Sequence, residues 1–244
     1  LVRSRGLGDV YKRQLYGSCA NLTDYLIMIP TSWYLTVFPL ISKYLGESRE
    51  AYEKANHYSY KYLAITAVMI WIIFAGFSQE LLSLLFRKDF VDAKNALFWL
   101  STALVFNFLQ FGLFNAALSR GKESLWILVA GSGAVFNVAL NLVLIPHFGI
   151  AGAGFATFTA YFVFVIFTGI LKEFRPDFLI MLKAAFWPIL LGTALVAISR
   201  TLEFKLIIWG PAMIIIYLIL LLITRAISQD DLKILYQAVR PGEK

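Results

Sequence analysis

Three polar side chains in an otherwise apolar stretch could together bind a hard cation. Asn137 and Asn141 lie four residues apart and therefore share one helix face, and Thr157 lies one turn into the next apolar segment. Their oxygens, with a backbone carbonyl near Ala153, are ligands of the kind that sodium accepts. The set lacks a carboxylate, however, and hydrogen bonding between helices, worth about 0.6 kcal/mol in membranes, explains the same residues equally well.

A second group of polar residues suits a path for a polar substrate. Asp24 lies one helical turn after Asn21 in an apolar segment, where a carboxylate is costly unless it is protonated, paired with a cation or in contact with water. We therefore predict that it faces a cavity; the alternative is a carboxylate at the membrane surface. Asn107 and Gln110 share a helix face and could hydrogen-bond sugar hydroxyls, with Asn115 nearby, or they could serve only helix packing.

Familiar catalytic motifs are absent from the sequence. It has no P-loop, GxSxG elbow or paired metal-binding cysteines. Cys19 is the only cysteine, and His57 and His147 lie far apart, outside the spacing of a zinc motif. We therefore expect no enzymatic activity, and no cofactor or metal apart from a coupling sodium ion or proton.

The composition is that of an integral membrane protein. Of 244 residues, 59% are hydrophobic and 15% charged, and the mean hydropathy is +0.72. The sequence predicts an all-α, polytopic membrane bundle of about seven transmembrane helices. Pro146 and Gly149 separate the fourth and fifth spans and predict a helical hairpin there. The spans are predicted at about 19–41, 62–77, 96–118, 125–145, 151–171, 184–199 and 206–223, with a charged surface helix at 45–62 and an amphipathic helix at 78–94.

The basic residues predict the orientation of the chain. The formal charge of +7 comes from Lys and Arg in short loops between spans, so it indicates membrane topology and not nucleic-acid binding. Most of these residues fall on the side that contains the C-terminal tail, residues 228–244, which we therefore place in the cytoplasm. The first predicted span then starts outside, as expected if preceding helices are missing.

The first 14 residues, LVRSRGLGDVYKRQ, resemble translated sequencing-adapter DNA and not a signal peptide. We expect the native sequence to begin near Leu15 and to form one transmembrane lobe over residues 15–227.

The stretch NVALNLVLIPHFGIAGAGFATFTAYF, from Asn137 to Phe162, resembles the signature of polysaccharide flippases in the multidrug, oligosaccharidyl-lipid and polysaccharide exporter superfamily. TDYLIMIPTSWYLTVFPLISKYLG and NAALSRGKES resemble other segments of that family. The resemblance implies two helical lobes around a central cavity, which carry lipid-linked oligosaccharides across the bacterial cytoplasmic membrane by alternating access. This chain looks like the C-terminal lobe, with the N-terminal lobe as its partner.

Related flippases for the peptidoglycan precursor have a sodium site made of an Asn, an acid four residues later and a Thr in the next helix. Asn137 and Thr157 match this pattern, whereas Asn141 stands at the position of the acid. Those relatives also tend to carry an acid–arginine pair where Tyr25 here follows Asp24. The resemblance therefore favours an O-antigen, capsule or exopolysaccharide unit as the substrate.

Two alternatives come from other classes of protein. A drug or cation antiporter of the same superfamily would use Asp24 as a proton-linked or sodium-linked carboxylate. A polytopic glycosyltransferase or polymerase would need an acidic catalytic loop outside the membrane. The one adjacent pair of aspartates, Asp230 and Asp231, falls in the predicted cytoplasmic tail.

Overall fold

The computed structural model describes residues 2–86, 88–202, 205–228 and 231, and every regular element in that part of the chain is a helix. The predicted all-α class is therefore confirmed. The elements are α1 (Val2–Leu26), α2 (Met28–Glu47), α3 (Arg49–Gly76), α4 (Ser78–Leu85), a 3-10 helix (Lys88–Ala93), α5 (Lys94–Ser119), α6 (Glu123–Ile170), α7 (Arg175–Thr201) and α8 (Leu206–Ile223).

Helices α3 and α5 form the centre of the bundle. Helix α7 packs along α3, and α6 packs along α5. One cluster of buried side chains joins α3, α5, α7 and α8 around Phe108 and Tyr217, and a second joins α3, α5, α6 and α7 around Tyr60 and Leu113. Because lipid is as apolar as these side chains, close packing between helices holds such a bundle together.

Helix α6 is a hairpin. Its backbone leaves the helical region at Gly149, where φ is 58° and ψ is −137°, a conformation that strains residues with a Cβ atom. The rings of Trp126 and Phe164 lie 4.9 Å apart, although these residues would be roughly 57 Å apart in a straight helix. The chain therefore reverses at Gly149, as predicted, but the first arm continues through Pro146 to Phe148. A proline disturbs mainly the turn that precedes it, so the helix can persist beyond it.

The second arm of α6 packs closely on α5 through its small residues. A Cβ atom at Gly154 would lie 3.0 Å from the carbonyl oxygen of Ala96 and 3.2 Å from the Cβ of Trp99. Ala156, two residues later, is fully buried. These small residues form a packing face that fixes the distance between α5 and the hairpin.

Six helical segments among the described residues are long and apolar enough to cross a membrane. One of them is the folded α6, whose arms, residues 123–148 and 150–170, each have the length of a span. The prediction of about seven spans is thus close to the observed number.

The first predicted span, 19–41, is not one helix. It breaks at Ile27 into α1 and α2. Pro30 has no N–H to bond the carbonyl of Leu26, and proline is tolerated in the first turn of a helix, where α2 now places it. Helix α1 also extends back through the segment of suspected non-native origin, and the Tyr11 hydroxyl donates to the carbonyl of Asp89.

Three further boundaries differ from the prediction. The surface helix at 45–62 and the second span form the single helix α3, which begins after Ser48, whose hydroxyl accepts from the N–H of Ala51. The amphipathic segment 78–94 divides into α4, the 3-10 helix and the start of α5. Helix α7 begins at Arg175 and not at Ala184, because Pro176 favours a helix start.

Candidate functional site

A cavity of about 330 Å³ lies between α5 and the two arms of the α6 hairpin. Several small residues, among them Ala130, Gly133 and Ala160, line it and leave open the space that larger side chains would fill. Four polar side chains face the same space. The lining residues are Gln110, Ala130, Gly133, Ala134, Asn137, Thr157, Ala160, Tyr161 and Phe164.

The cavity joins two groups of residues that the sequence had assigned to separate sites. Gln110 comes from α5, Asn137 from the first arm of α6, and Thr157 from the second arm. The Oε1 atom of Gln110 is buried and has no hydrogen-bond partner among the described residues. An amide oxygen left unpaired inside a protein is costly, so this one is available to a ligand that donates a hydrogen bond.

The four predicted cation ligands already form hydrogen bonds with one another in two pairs. The Asn141 amide donates to Oδ1 of Asn137 over 3.0 Å, and the Thr157 hydroxyl donates to the carbonyl of Ala153 over 3.1 Å. Asn141 and Ala153 do not line the cavity, although Oδ1 of Asn141 is buried without a partner. Together these oxygens form an uncharged, hydrogen-bonding surface. Among the described residues, no group of three or more His, Cys, Asp or Glu could hold a metal ion.

Asn107 extends the polar surface from the cavity towards α1. Its Oδ1 is buried and has no partner among the described residues, and the nearby Tyr161 is a cavity residue that the sequence analysis did not select. Asp24 lies close enough to Tyr161 for its charge to act on the phenol. The structure thus brings Asp24, Asn107 and Tyr161 into one neighbourhood.

The other predicted site residues lie outside the cavity. Asp24 and Asn21 are exposed on α1 and do not line the cavity between α5 and α6, so their place in a substrate path stays a prediction. Asn115 is fully buried in α5, and both polar atoms of its amide lack a partner there. It lies more than one turn beyond Gln110 and does not face the same space.

Sequence reasoning missed a buried ion pair that joins three elements. Arg120, in the turn between α5 and α6, lies 2.9 Å from the carboxylate of Asp177 at the start of α7. The same carboxylate accepts from the Tyr52 hydroxyl of α3 over 2.9 Å, and Asp177 is fully buried. In the sequence Asp177 lies among Lys172, Arg175 and Lys183, so nothing local marks it as buried.

A second buried pair connects α3 to the end of the described chain. Lys61 lies 2.6 Å from Asp231, and their side chains are 6% and 0% exposed. Burial raises the pKa of Asp231, but hydrogen bonds from Lys61, Ser228 and Tyr62 outweigh it and hold the pKa at about 2, so the carboxylate is charged near neutral pH. The prediction that the charges of 45–62 form a solvated face is therefore wrong for Lys61. Asp230 lies outside the described residues.

Comparison with known proteins finds a similar membrane protein, whose name states no activity. The chain is 32% identical over 138 residues to an uncharacterized membrane protein of Methanocaldococcus jannaschii, a match that covers 54% of the chain and 26% of that relative. The chain thus spans about a quarter of the relative's length. No family model and no solved structure matches the chain significantly.

Proposed function

We propose that this chain is one lobe of a membrane transporter that moves lipid-linked oligosaccharides by alternating access. The observation that carries the proposal is the uncharged cavity lined by Gln110, Asn137, Thr157 and Tyr161. Sugar hydroxyls donate and accept hydrogen bonds, and the buried Gln110 oxygen has no partner among the described residues. The resemblance of the hairpin sequence to polysaccharide flippases supports the same substrate class.

The cavity favours an oligosaccharide over the cationic substrate of a drug antiporter. None of its lining side chains carries a charge, whereas a cationic drug needs a carboxylate or an aromatic cage. Asp24 acts electrostatically on the cavity residue Tyr161 and is exposed on α1. We assign it to the cavity that this lobe would share with a second lobe, where it could take up a coupling proton or sodium ion.

The Asp24→Asn variant tests the proposal in cells. We expect the full-length wild-type protein to restore surface polysaccharide in at least one of a panel of flippase-deficient bacterial strains. Asp24→Asn preserves the shape of the side chain but removes its charge, so export should fall to near background at normal membrane levels. Asp92→Asn, which neutralises an exposed carboxylate in the 3-10 helix, should export normally. Failure of the wild-type protein in every strain, or normal export by Asp24→Asn, would refute this assignment.

We further propose that the chain sits in a bacterial cytoplasmic membrane with its C-terminus inside the cell. The basis is the excess of Lys and Arg on that side of the predicted spans. Alkaline phosphatase fused to the C-terminus should be inactive, and a fluorescent protein at the same position should fluoresce. An active phosphatase fusion would reverse the orientation.

A further inference from the structure

A basic groove lies where the start of α7 passes beside the start of α3. It measures about 440 Å³ and is lined by Arg49 of α3, Lys172 of the preceding turn, and Arg175 and Lys183 of α7. One carboxylate also lines it, that of Glu53, and it accepts a hydrogen bond from Arg49 over 2.8 Å. Within the described part of the chain, the other three cations have no carboxylate within 4.0 Å.

The position of Lys183 favours an anionic ligand in the groove. Arg175, Leu179 and Lys183 are four residues apart and share one face of α7. Lys183 lies two turns inside a helix that is long and apolar enough to cross a membrane, where an ammonium group facing lipid tails is costly. A lysine in such a position extends towards the polar surface, and Lys183 lines the same groove as Lys172. An anionic group in the groove would neutralise both.

The surface of α7 is apolar from the groove onward, starting with Leu179, which itself lines the groove. Leu179, Leu182 and Phe186 are all exposed, with 48%, 45% and 57% of their surface accessible. A ligand with an anionic head and hydrocarbon chains would place its head among the four cations and its chains along these side chains. A soluble phosphate would use the cations alone, whereas a bound lipid would contact both the cations and these apolar side chains.

We propose that this basic groove binds the phosphate headgroup of an anionic phospholipid. Basic pockets between transmembrane helices near the membrane surface bind such headgroups in other proteins. The assignment rests on the groove alone and does not depend on the transport function proposed above.

Native mass spectrometry of the purified full-length protein tests this site. The protein in detergent would be titrated with phosphatidylglycerol and, separately, with phosphatidylcholine carrying the same acyl chains. We expect phosphatidylglycerol to bind at least tenfold more tightly than phosphatidylcholine. The double variant Lys172→Gln/Lys183→Gln should bind phosphatidylglycerol roughly tenfold to thirtyfold more weakly than wild type.

The matched control is Lys88→Gln/Lys205→Gln, which removes the same charge from two exposed positions outside the groove. Its affinity for phosphatidylglycerol should stay within twofold of wild type. Equal binding of the two lipids, or an equal loss in both double variants, would overturn the proposal. Displacement of phosphatidylglycerol by millimolar inorganic phosphate would also overturn it, because the groove would then recognise a soluble anion and not a lipid.

Discussion

Replacing Gln110 with leucine is expected to reduce oligosaccharide export by about tenfold to a hundredfold while leaving the protein at least as stable as wild type. The reason is that Oε1 of Gln110 is buried in the cavity without a partner among the described residues. A substrate hydroxyl that donates to this atom loses its partner in the variant, which costs about 1–3 kcal/mol. Removing an unpaired buried polar group does not by itself destabilise the fold.

Asn115→Leu provides a matched control for that experiment. Asn115 lies in the same helix, is fully buried and has unpaired amide atoms, but it does not line the cavity. Its replacement should have a similar effect on stability and little effect on export. Both properties can be measured in cells by surface polysaccharide and in detergent by thermal unfolding. Normal export by Gln110→Leu would remove the cavity from the transport path, and equal losses in both variants would assign the effect to helix packing.

Replacing Arg120 with methionine is expected to lower the free energy of unfolding by about 3 kcal/mol. The variant leaves the carboxylate of Asp177 fully buried without its cation, and removal of one partner from a buried pair is strongly destabilising. We expect the lower end of the usual range because 24% of the Arg120 side chain remains exposed. The double variant Arg120→Met/Asp177→Asn should recover most of the loss, since the amide still accepts from Tyr52.

Arg49→Met is the control for this effect. Arg49 pairs with Glu53 over 2.8 Å, but the two side chains are 87% and 46% exposed, and such surface pairs contribute little to stability. Unfolding of all four proteins in mixed micelles with increasing SDS measures the difference. If Arg120→Met unfolds at the same SDS fraction as Arg49→Met, the buried pair does not stabilise the junction of α3, α5 and α7.

The hairpin was predictable because its signals are local. Pro146 and Gly149 are close together in the sequence, and the small residues that follow them indicate close helix packing whatever their partner is. The exact position of the reversal was less predictable. A proline disturbs the helical turn that precedes it, and the residues that follow it can stay helical.

The arrangement of the site depended on contacts between distant residues. Gln110 and Asn137 line one cavity because the second arm of α6 packs on α5 at Gly154, and this packing depends on residues of both helices. Likewise, the partner of Lys61 is Asp231, 170 residues away in the chain. A charge next to other charges in the sequence resembles a solvated face until its partner is known. Three of the four polar residues that line the cavity could therefore be chosen from sequence, but Tyr161 and the grouping of the four could not.

The most direct test of the transport proposal is translocation in proteoliposomes by the purified full-length protein. A fluorescent lipid-linked oligosaccharide would be incorporated in both leaflets, and a membrane-impermeant quencher would report the fraction that reaches the outer leaflet over time. The account predicts that wild-type protein moves the labelled lipid faster than protein-free liposomes do, and that Gln110→Leu slows this movement at least tenfold while Asn115→Leu does not. Wild-type proteoliposomes that move the lipid no faster than empty ones, or a Gln110→Leu rate equal to wild type, would contradict it.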